Sequence, residues 1–196
     1  METKQNIENG HEYVDLGLSV KWATCNVGAN KPEEYGEYFA WGETKPKRIY
    51  NFGEYKWYDK KYDEIMKYNT SIEYGLVDNK IVLELADDAA HVNWGGSWRM
   101  PTNCEWRELL NDCEWDTKKG INGIIVTSKI NGNSILLPLS GFYGDGYSCI
   151  IGKTGEYWSS VLDKSLRAQS FTLSTEQIIG AGGIRYYGMS VRPVCE

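Results

Sequence analysis

The sequence predicts an α+β domain, and three observations predict it. Apolar residues fall in short strand-like runs near both ends of the chain. Two stretches in the middle have helical spacing. Gly (21 residues) far outnumbers Pro (5), which marks many tight turns. Strand segments that precede and follow a pair of short helices imply antiparallel sheets rather than alternating βαβ units. The length, 196 residues, fits a single domain spanning 1–196 with room for a large insertion.

Residues 11–29, HEYVDLGLSVKWATCNVGA, read as two β segments. Tyr13, Val14, Leu16 and Leu18 belong to the first and Val20, Trp22, Ala23 and Val27 to the second, with Gly17 and Gly28 as punctuation. Residues 30–83 are rich in Tyr, Gly and charge and have no clear period. They are expected to form a long irregular insertion, a kind of segment that persists where it packs or binds. Residues 83–96, LELADDAAHVNWGG, are a short helix candidate. Asp87 and Asp88 suit the positive end of its dipole, and Gly95 and Gly96 stop it. A second helix starts after Thr102, which forms a capping box with Glu105; Trp106, Leu109, Leu110 and Cys113 recur on one face. Pro101 holds Met100 extended and outside that helix.

Beyond it, GIIVTSKINGNSILLPL is a hairpin around NGN. GEYWSSV, RAQSFTL and YYGMSVRPV read as three more strands. Around the words GEYWSS and YYGMSVRPV lie residues 142–153, 161–170 and 172–184. Ile150, Ile151, Ile178 and Ile179 fall there in loop-like settings, where they either tuck into the core or make an apolar binding patch.

The bulk chemistry excludes several functions. A formal charge of -6 argues against a nucleic-acid surface, which needs a basic field. The densest basic stretch, residues 45–62, interleaves Lys and Arg with aromatics as a single-strand stacking platform would. Glu54 and Asp59 dilute it, so it reads as an insertion whose rings fold back on the body. Five cysteines without a CxxC pair point to neither zinc nor a full disulfide framework. Cys104 and Cys113 would lie about 13 Å apart along one continuous helix. Neither clustered oxygen ligands for calcium nor a cofactor motif occurs, so no metal and no cofactor is expected. The only histidines, His11 and His91, lack a nucleophile elbow to serve. The carboxylate pairs Glu33/Glu34 and Asp87/Asp88 are neighbours in sequence, which says nothing of a cleft. The chain has no signal-peptide h-region and no apolar run of membrane-spanning length. A soluble protein without membrane insertion is expected; a place at the cell surface would require a leader that has been removed.

Several words taken together, EYVDLGLSVKWATCNVGA, PEEYGEYFAWGET, DDAAHVNWGGSWRMPT, INGIIVTS, NSILLPLSG and YYGMSVRPV, resemble the Fibrobacter succinogenes major paralogous domain family over about residues 12–194. That family is similar in turn to the C-type-lectin-like fold used by formylglycine-generating enzymes. The resemblance implies two short helices with antiparallel sheets, paired first and last strands (EYVDLG beside SVRPV), and a Trp-rich elbow beneath the sheet. Trp94, Trp98, Trp106 and Trp158 would then be support. It also implies a binding face in residues 142–187, which in some bacterial proteins of this kind is a variable region rewritten by a diversity-generating retroelement.

The composition of that third suits recognition, because Tyr gives rigid amphipathic contact area and small residues give adaptability. The expected ligand contacts are Tyr143, Asp145, Tyr147, Ile150, Leu162, Asp163, Lys164, Arg167, Gln169, Thr172, Gln177, Ile178 and Tyr186. The expected function is non-enzymatic recognition of a protein or glycan. One alternative is a cell-surface adhesin or glycan-binding module that uses the 30–83 insertion. Another is a degenerate formylglycine-generating-type oxidase, for which Cys149 and Cys195 are the candidate pair.

Overall fold

Strand β1 (Ile7–Glu8) turns back through Asn9 and Gly10, whose φ values of 43° and 83° give the left-handed pair a tight hairpin requires, into β2 (His11–Val14). Strand β3 (Lys21–Ala23) pairs with β2 on one side and with the last strand, β14 (Val194–Cys195), on the other, in the order β1-β2-β3-β14. The two chain ends therefore share one sheet, but the last strand lies against Lys21 and Trp22, and β3 separates it from the EYVDLG segment expected beside it. This computed structural model describes residues 6–117, 122–176 and 178–196.

The insertion contains little regular structure, as its aperiodic sequence predicts. Its ordered pieces are 3-10 turns at Phe52–Glu54 and Ile72–Tyr74 and the short pair β4 (Tyr58–Asp59) and β5 (Glu64–Ile65). It is nevertheless well packed: Phe39, Trp41, Tyr50, Tyr55, Ile65 and Tyr68 are all buried.

Helix α1 (Ala89–Trp94) is capped by Asp88, whose Oδ1 accepts from the amides of Ala90 (2.9 Å) and His91 (3.0 Å). The other Asp88 oxygen takes the Met100 amide at 2.8 Å, which ties the helix start to the elbow. Asp87 lies outside the helix, where Lys56 (3.1 Å), Lys67 (2.5 Å) and the Tyr68 hydroxyl (2.8 Å) converge on it. Helix α2 (Asn103–Asp112) has the expected Thr102–Glu105 capping box, and Arg99 braces Glu105 through two bonds of 2.6 and 2.9 Å. Cys113 is not helical: the chain turns there into β6 (Cys113–Thr117), which joins β7 (Gly123–Ser128) and β8 (Ser134–Pro138) in a three-stranded sheet. The apolar period carries past the real end because Cys113 is buried as the first residue of β6.

A small hairpin follows, β9 (Phe142–Gly144) and β10 (Tyr147–Cys149), turned by Asp145 (φ 51°) and Gly146 (φ 85°). Then come the long strands β11 (Thr154–Lys164), β12 (Arg167–Ser174) and β13 (Ile178–Ile184), ordered β11-β12-β13. Two expectations are corrected here. Ile178 and Ile179, expected in a loop-like setting, lie in strand β13, whereas YYGMSVRPV is threaded across the molecule by isolated bridges and becomes a strand only at Val194–Cys195. The run IIGAGGI has low intrinsic strand preference. It is strand because its backbone pairs with β12, and Gly183 must be small: a Cβ there would come 2.5 Å from Met189 Cε and 2.7 Å from Trp158 Cη2.

The tryptophan elbow is core. Trp98, Trp106 and Trp158 are fully buried and Trp94 nearly so. Trp94 stacks flat on His11 with ring centres 3.8 Å apart and meets Trp98 edge-on at 5.1 Å. Indole N–H groups are anchored on backbone carbonyls: Trp98 on Glu8 (2.8 Å), Trp158 on Phe39 (2.8 Å) and Trp41 on Ser159 (2.9 Å). Each of these bonds joins segments far apart in sequence, so the tryptophans staple the helices, the insertion and the long sheet together. Among the described residues no helix is long and apolar enough to cross a membrane.

Candidate functional site

The insertion and the C-terminal third meet along a seam of aromatic rings. Tyr38, Tyr50, Phe52 and Tyr58 from the insertion interleave with Tyr143, Ile184, Tyr186 and Tyr187. Tyr38 meets Tyr143 edge-on at 4.7 Å, and Phe52 meets Tyr186 at 4.9 Å. The hydroxyls are tied down. Tyr38 donates to the Ser140 carbonyl and Tyr50 to the Tyr38 carbonyl, each at 2.6 Å, and Tyr186 donates to Asp145 at 2.9 Å. Burial pushes the Tyr50 phenol up to about 12 and the Tyr38 phenol higher still. Both therefore remain neutral donors, and the rings are held as fixed plates.

One buried cation locks this seam to the long sheet. Arg185 is 1% exposed, and no carboxylate pairs with it among the described residues. Its Nε donates to the Tyr55 hydroxyl (2.9 Å) and its Nη1 to the carbonyls of Ser165 (2.7 Å) and Tyr68 (3.1 Å). Its Nη2 donates to the Lys67 carbonyl at 2.9 Å, and the plane lies 5.0 Å from the Trp41 ring centre. Spreading the charge over backbone dipoles and π faces satisfies the donors that burial would otherwise orphan. The carbonyls it holds belong to the β11–β12 turn on one side and to the insertion on the other.

Those two elements form the walls of a groove of about 450 Å³. Thr70, Ser71, Glu73 and Tyr74 line one wall and Asp163, Lys164, Leu166 and Arg167 the other. The Thr70 amide donates to Ser165 Oγ at 3.2 Å and closes the floor. A second hollow of about 420 Å³ shares Glu73, Tyr74 and Leu166 and continues over Phe52, Tyr58 and Asp63. Gln169 donates to Asp163 at 2.9 Å, and Arg167 donates one guanidinium N–H to the Gly182 carbonyl. No ion pair among the described residues involves Lys164. The combined surface offers aromatic area with both signs of charge at its rim. On the opposite side of the seam, Tyr38, Tyr143 and Arg48 border a hollow of about 380 Å³. A separate apolar hollow of about 270 Å³ at Val14, Ile125 and Leu136 contains none of the expected contact residues.

The structure therefore divides the expected contacts into separate groups. Asp163, Lys164, Arg167 and Gln169 come together at the β11–β12 turn. Asp145, Tyr147 and Ile150 lie exposed in or beside the β9–β10 hairpin, with Tyr147 74% exposed. Tyr143 is half-buried in the seam rather than displayed. Leu162 and Tyr186, 6% and 7% exposed, belong to the core, which corrects the expectation that they contact a ligand. Thr172 donates to the buried Glu156 at 2.7 Å and so has an internal role. The backbone of Ile178 pairs with Leu173 in the long sheet, and Gln177 lies outside the described residues. Residues 142–187 as a whole are not a surface, because Tyr157, Trp158, Phe171 and Leu173 inside that span are fully buried.

Leu166, Thr70–Tyr74 and Arg185 carry no sequence signal that would single them out; only the fold brings them together. The two candidate oxidase cysteines lie in different sheets, Cys149 in β10 and Cys195 in β14, and burial pushes the Cys195 thiol up to about 11. His91 faces the Trp98 carbonyl through Nδ1 at 3.2 Å, a local structural contact. Comparison with protein-family models finds no match for this chain, and comparisons with curated proteins and with solved structures find none either.

Proposed function

We propose that this chain is a non-enzymatic recognition domain of C-type-lectin-like build that captures a protein or glycan in the groove between the β11–β12 turn and the insertion. A single observation carries the reading. Asp163, Lys164 and Arg167 on one side and Thr70, Ser71, Glu73 and Tyr74 on the other face one groove, and a buried guanidinium holds its two walls together. The two binding faces weighed from the sequence thus become one surface with contributions from both. A preformed groove binds with little ordering entropy, and aromatic walls supply contact area that does not need to be fixed on binding.

Support for the lectin-like build comes from the shared sheet of the two chain ends and the tryptophan elbow. Support for the non-enzymatic part comes from the raised Cys195 thiol, the opposite of an activated thiolate. Retroelement diversification would act on exposed positions such as Asp163, Lys164, Arg167 and Tyr147 and spare the buried strand positions between them. A reverse transcriptase gene beside a near-copy of the 3′ end of the coding sequence would mark it.

The test is a glycan and protein array probed with the wild type and with the triple variant Glu73→Ala, Lys164→Ala, Arg167→Ala, all three in the walls of the groove. The expected result is a captured ligand that the triple variant loses while its melting temperature is unchanged. Retained capture, or a collapse in stability, refutes the assignment of this face.

A further inference from the structure

Strand β13 is the outer strand of its sheet and pairs with β12 alone among the described residues. The Arg185 amide, one residue past the strand, donates to the Leu166 carbonyl in the same register. Antiparallel pairs alternate, so Ile179, Ala181 and Gly183 exchange bonds with β12, while Gly180, Gly182 and Ile184 turn their N–H and C=O to the open side. Two of those outward carbonyls are engaged, Gly182 by the Arg167 guanidinium and Ile184 by the Tyr187 amide at 2.9 Å. Among the described residues, both backbone groups of Gly180 and the amides of Gly182 and Ile184 have no partner, and Gly180 is exposed.

The strand sequence IIGAGGI contains neither charge nor proline, the usual means by which natural edge strands resist pairing. The other side of the same sheet is covered. Residues 81–83 run along β11, with Leu83 N–H on the Ser160 carbonyl (2.9 Å) and Leu162 N–H on the Ile81 carbonyl (2.7 Å).

We propose that β13 is a self-association edge, pairing antiparallel with β13 of a second copy of this chain across a two-fold axis. Three features select a second copy over a foreign peptide. An antiparallel edge is complementary to itself under two-fold symmetry. Strand-adding peptides are selected by pockets for alternate side chains, and Gly180, Gly182 and Gly183 build none. The charges match as well: exposed Glu176 lies just beyond one end of the strand, and exposed Lys164 and Arg167 lie at the other end, where Asp163 is already held by Gln169. The two-fold brings each Glu176 to the basic end of the other copy. In the register centred on Ala181, each Gly182 amide donates to the Gly180 carbonyl of the other copy, and each Gly180 amide donates to the second lone pair of the Gly182 carbonyl, beside the Arg167 guanidinium. The result is one continuous sheet with three strands from each copy.

The experiment is sedimentation velocity on the full chain from about 5 to about 500 µM. The wild type is expected to shift from monomer to dimer across that range. Gly180→Pro removes an outward N–H without breaking a bond to β12, and a Cβ there meets Phe171 Cζ at an ordinary 3.7 Å. It is expected to weaken association at least about tenfold with an unchanged melting temperature. Glu176→Lys is expected to weaken it too, and the added change Arg167→Glu, at the residue whose guanidinium reaches the edge strand, to restore it. If Gly180→Pro folds poorly, amide exchange of the wild type decides: Gly180 and Gly182 become more protected as concentration rises. A wild type that stays monomeric throughout, a Gly180→Pro variant that associates like the wild type, or concentration-independent protection overturns the proposal.

Discussion

Arg185→Met is the sharpest test of how the groove is built. Methionine matches the length of arginine but donates nothing, so the carbonyls of Ser165, Tyr68 and Lys67 lose a partner and the Tyr55 hydroxyl loses a donor. A buried acceptor left without a partner costs about 1–3 kcal/mol. Part of this is returned, because an unpaired guanidinium no longer has to be desolvated and the methionine still packs against Trp41 and Tyr68. A net loss of about 2–4 kcal/mol is expected, from three orphaned carbonyls less the returned desolvation, since no buried charge is left behind. Arg185→Lys should fall between, since three N–H bonds on one nitrogen cannot span four acceptors that a planar fork reaches. The assay is urea unfolding followed by tryptophan fluorescence, combined with limited proteolysis under native conditions. The expected result is a lower midpoint, with new cleavage in residues 60–82 before the rest of the chain opens. An Arg185→Met protein as stable as the wild type, or one whose insertion resists protease equally well, refutes the argument that this cation clamps insertion to sheet.

Three further outcomes are expected. Trp98→Ala empties a fully buried site and breaks the indole bond to Glu8, so a loss of about 3–5 kcal/mol in denaturant unfolding is expected, and full stability would refute the elbow's role as core. Trp158→Phe should destabilise more than Trp22→Phe by about 1 kcal/mol, the net worth of one hydrogen bond. The Trp158 indole bond to the Phe39 carbonyl is lost, although that carbonyl keeps the Met189 amide, whereas the buried Trp22 Nε1 has no partner to lose among the described residues. Glu156 gives a pH signature: burial raises its carboxyl to about 7, and the Thr172 hydrogen bond offsets this only in part. A group with a raised folded value contributes its stability below its unfolded value, near 4.5, and loses it as pH rises toward 7. Glu156→Gln should remove that fall, worth about 3 kcal/mol, and leave the variant the more stable at pH 8; equal melting curves across pH 4 to 8 would contradict it. Asp87 and Glu105 work in the opposite direction. Burial raises both, but Lys67, Tyr68 and Lys56 around Asp87, and Arg99 and Thr102 at Glu105, hold them below the ordinary range, so their contribution is lost on acidification.

What the sequence determined by itself was local. The capping box at Thr102 and Glu105, the Gly95 stop, the NGN hairpin and the two N-terminal strands are each written in a few neighbouring residues, because capping, turn chemistry and alternation act over one or two turns of chain. The irregular character of residues 30–83 and the buried role of the tryptophans were legible in the same way, from absent periodicity and from side-chain size. The tertiary structure alone decided the rest. IIGAGGI is a strand because β12 pairs with it, with Gly183 kept small by Trp158 and Met189, and Cys113 leaves the helix because it pairs with Ser128 of β7. Leu162 and Tyr186, polar-flanked and plausible as surface from their neighbours, are core because distant segments cover them. The groove has the same origin: its walls lie some ninety positions apart, as in the Thr70–Ser165 contact (|i−j| of 95), and meet only through a buried arginine whose acceptors are backbone carbonyls, groups that every residue carries and no sequence pattern marks.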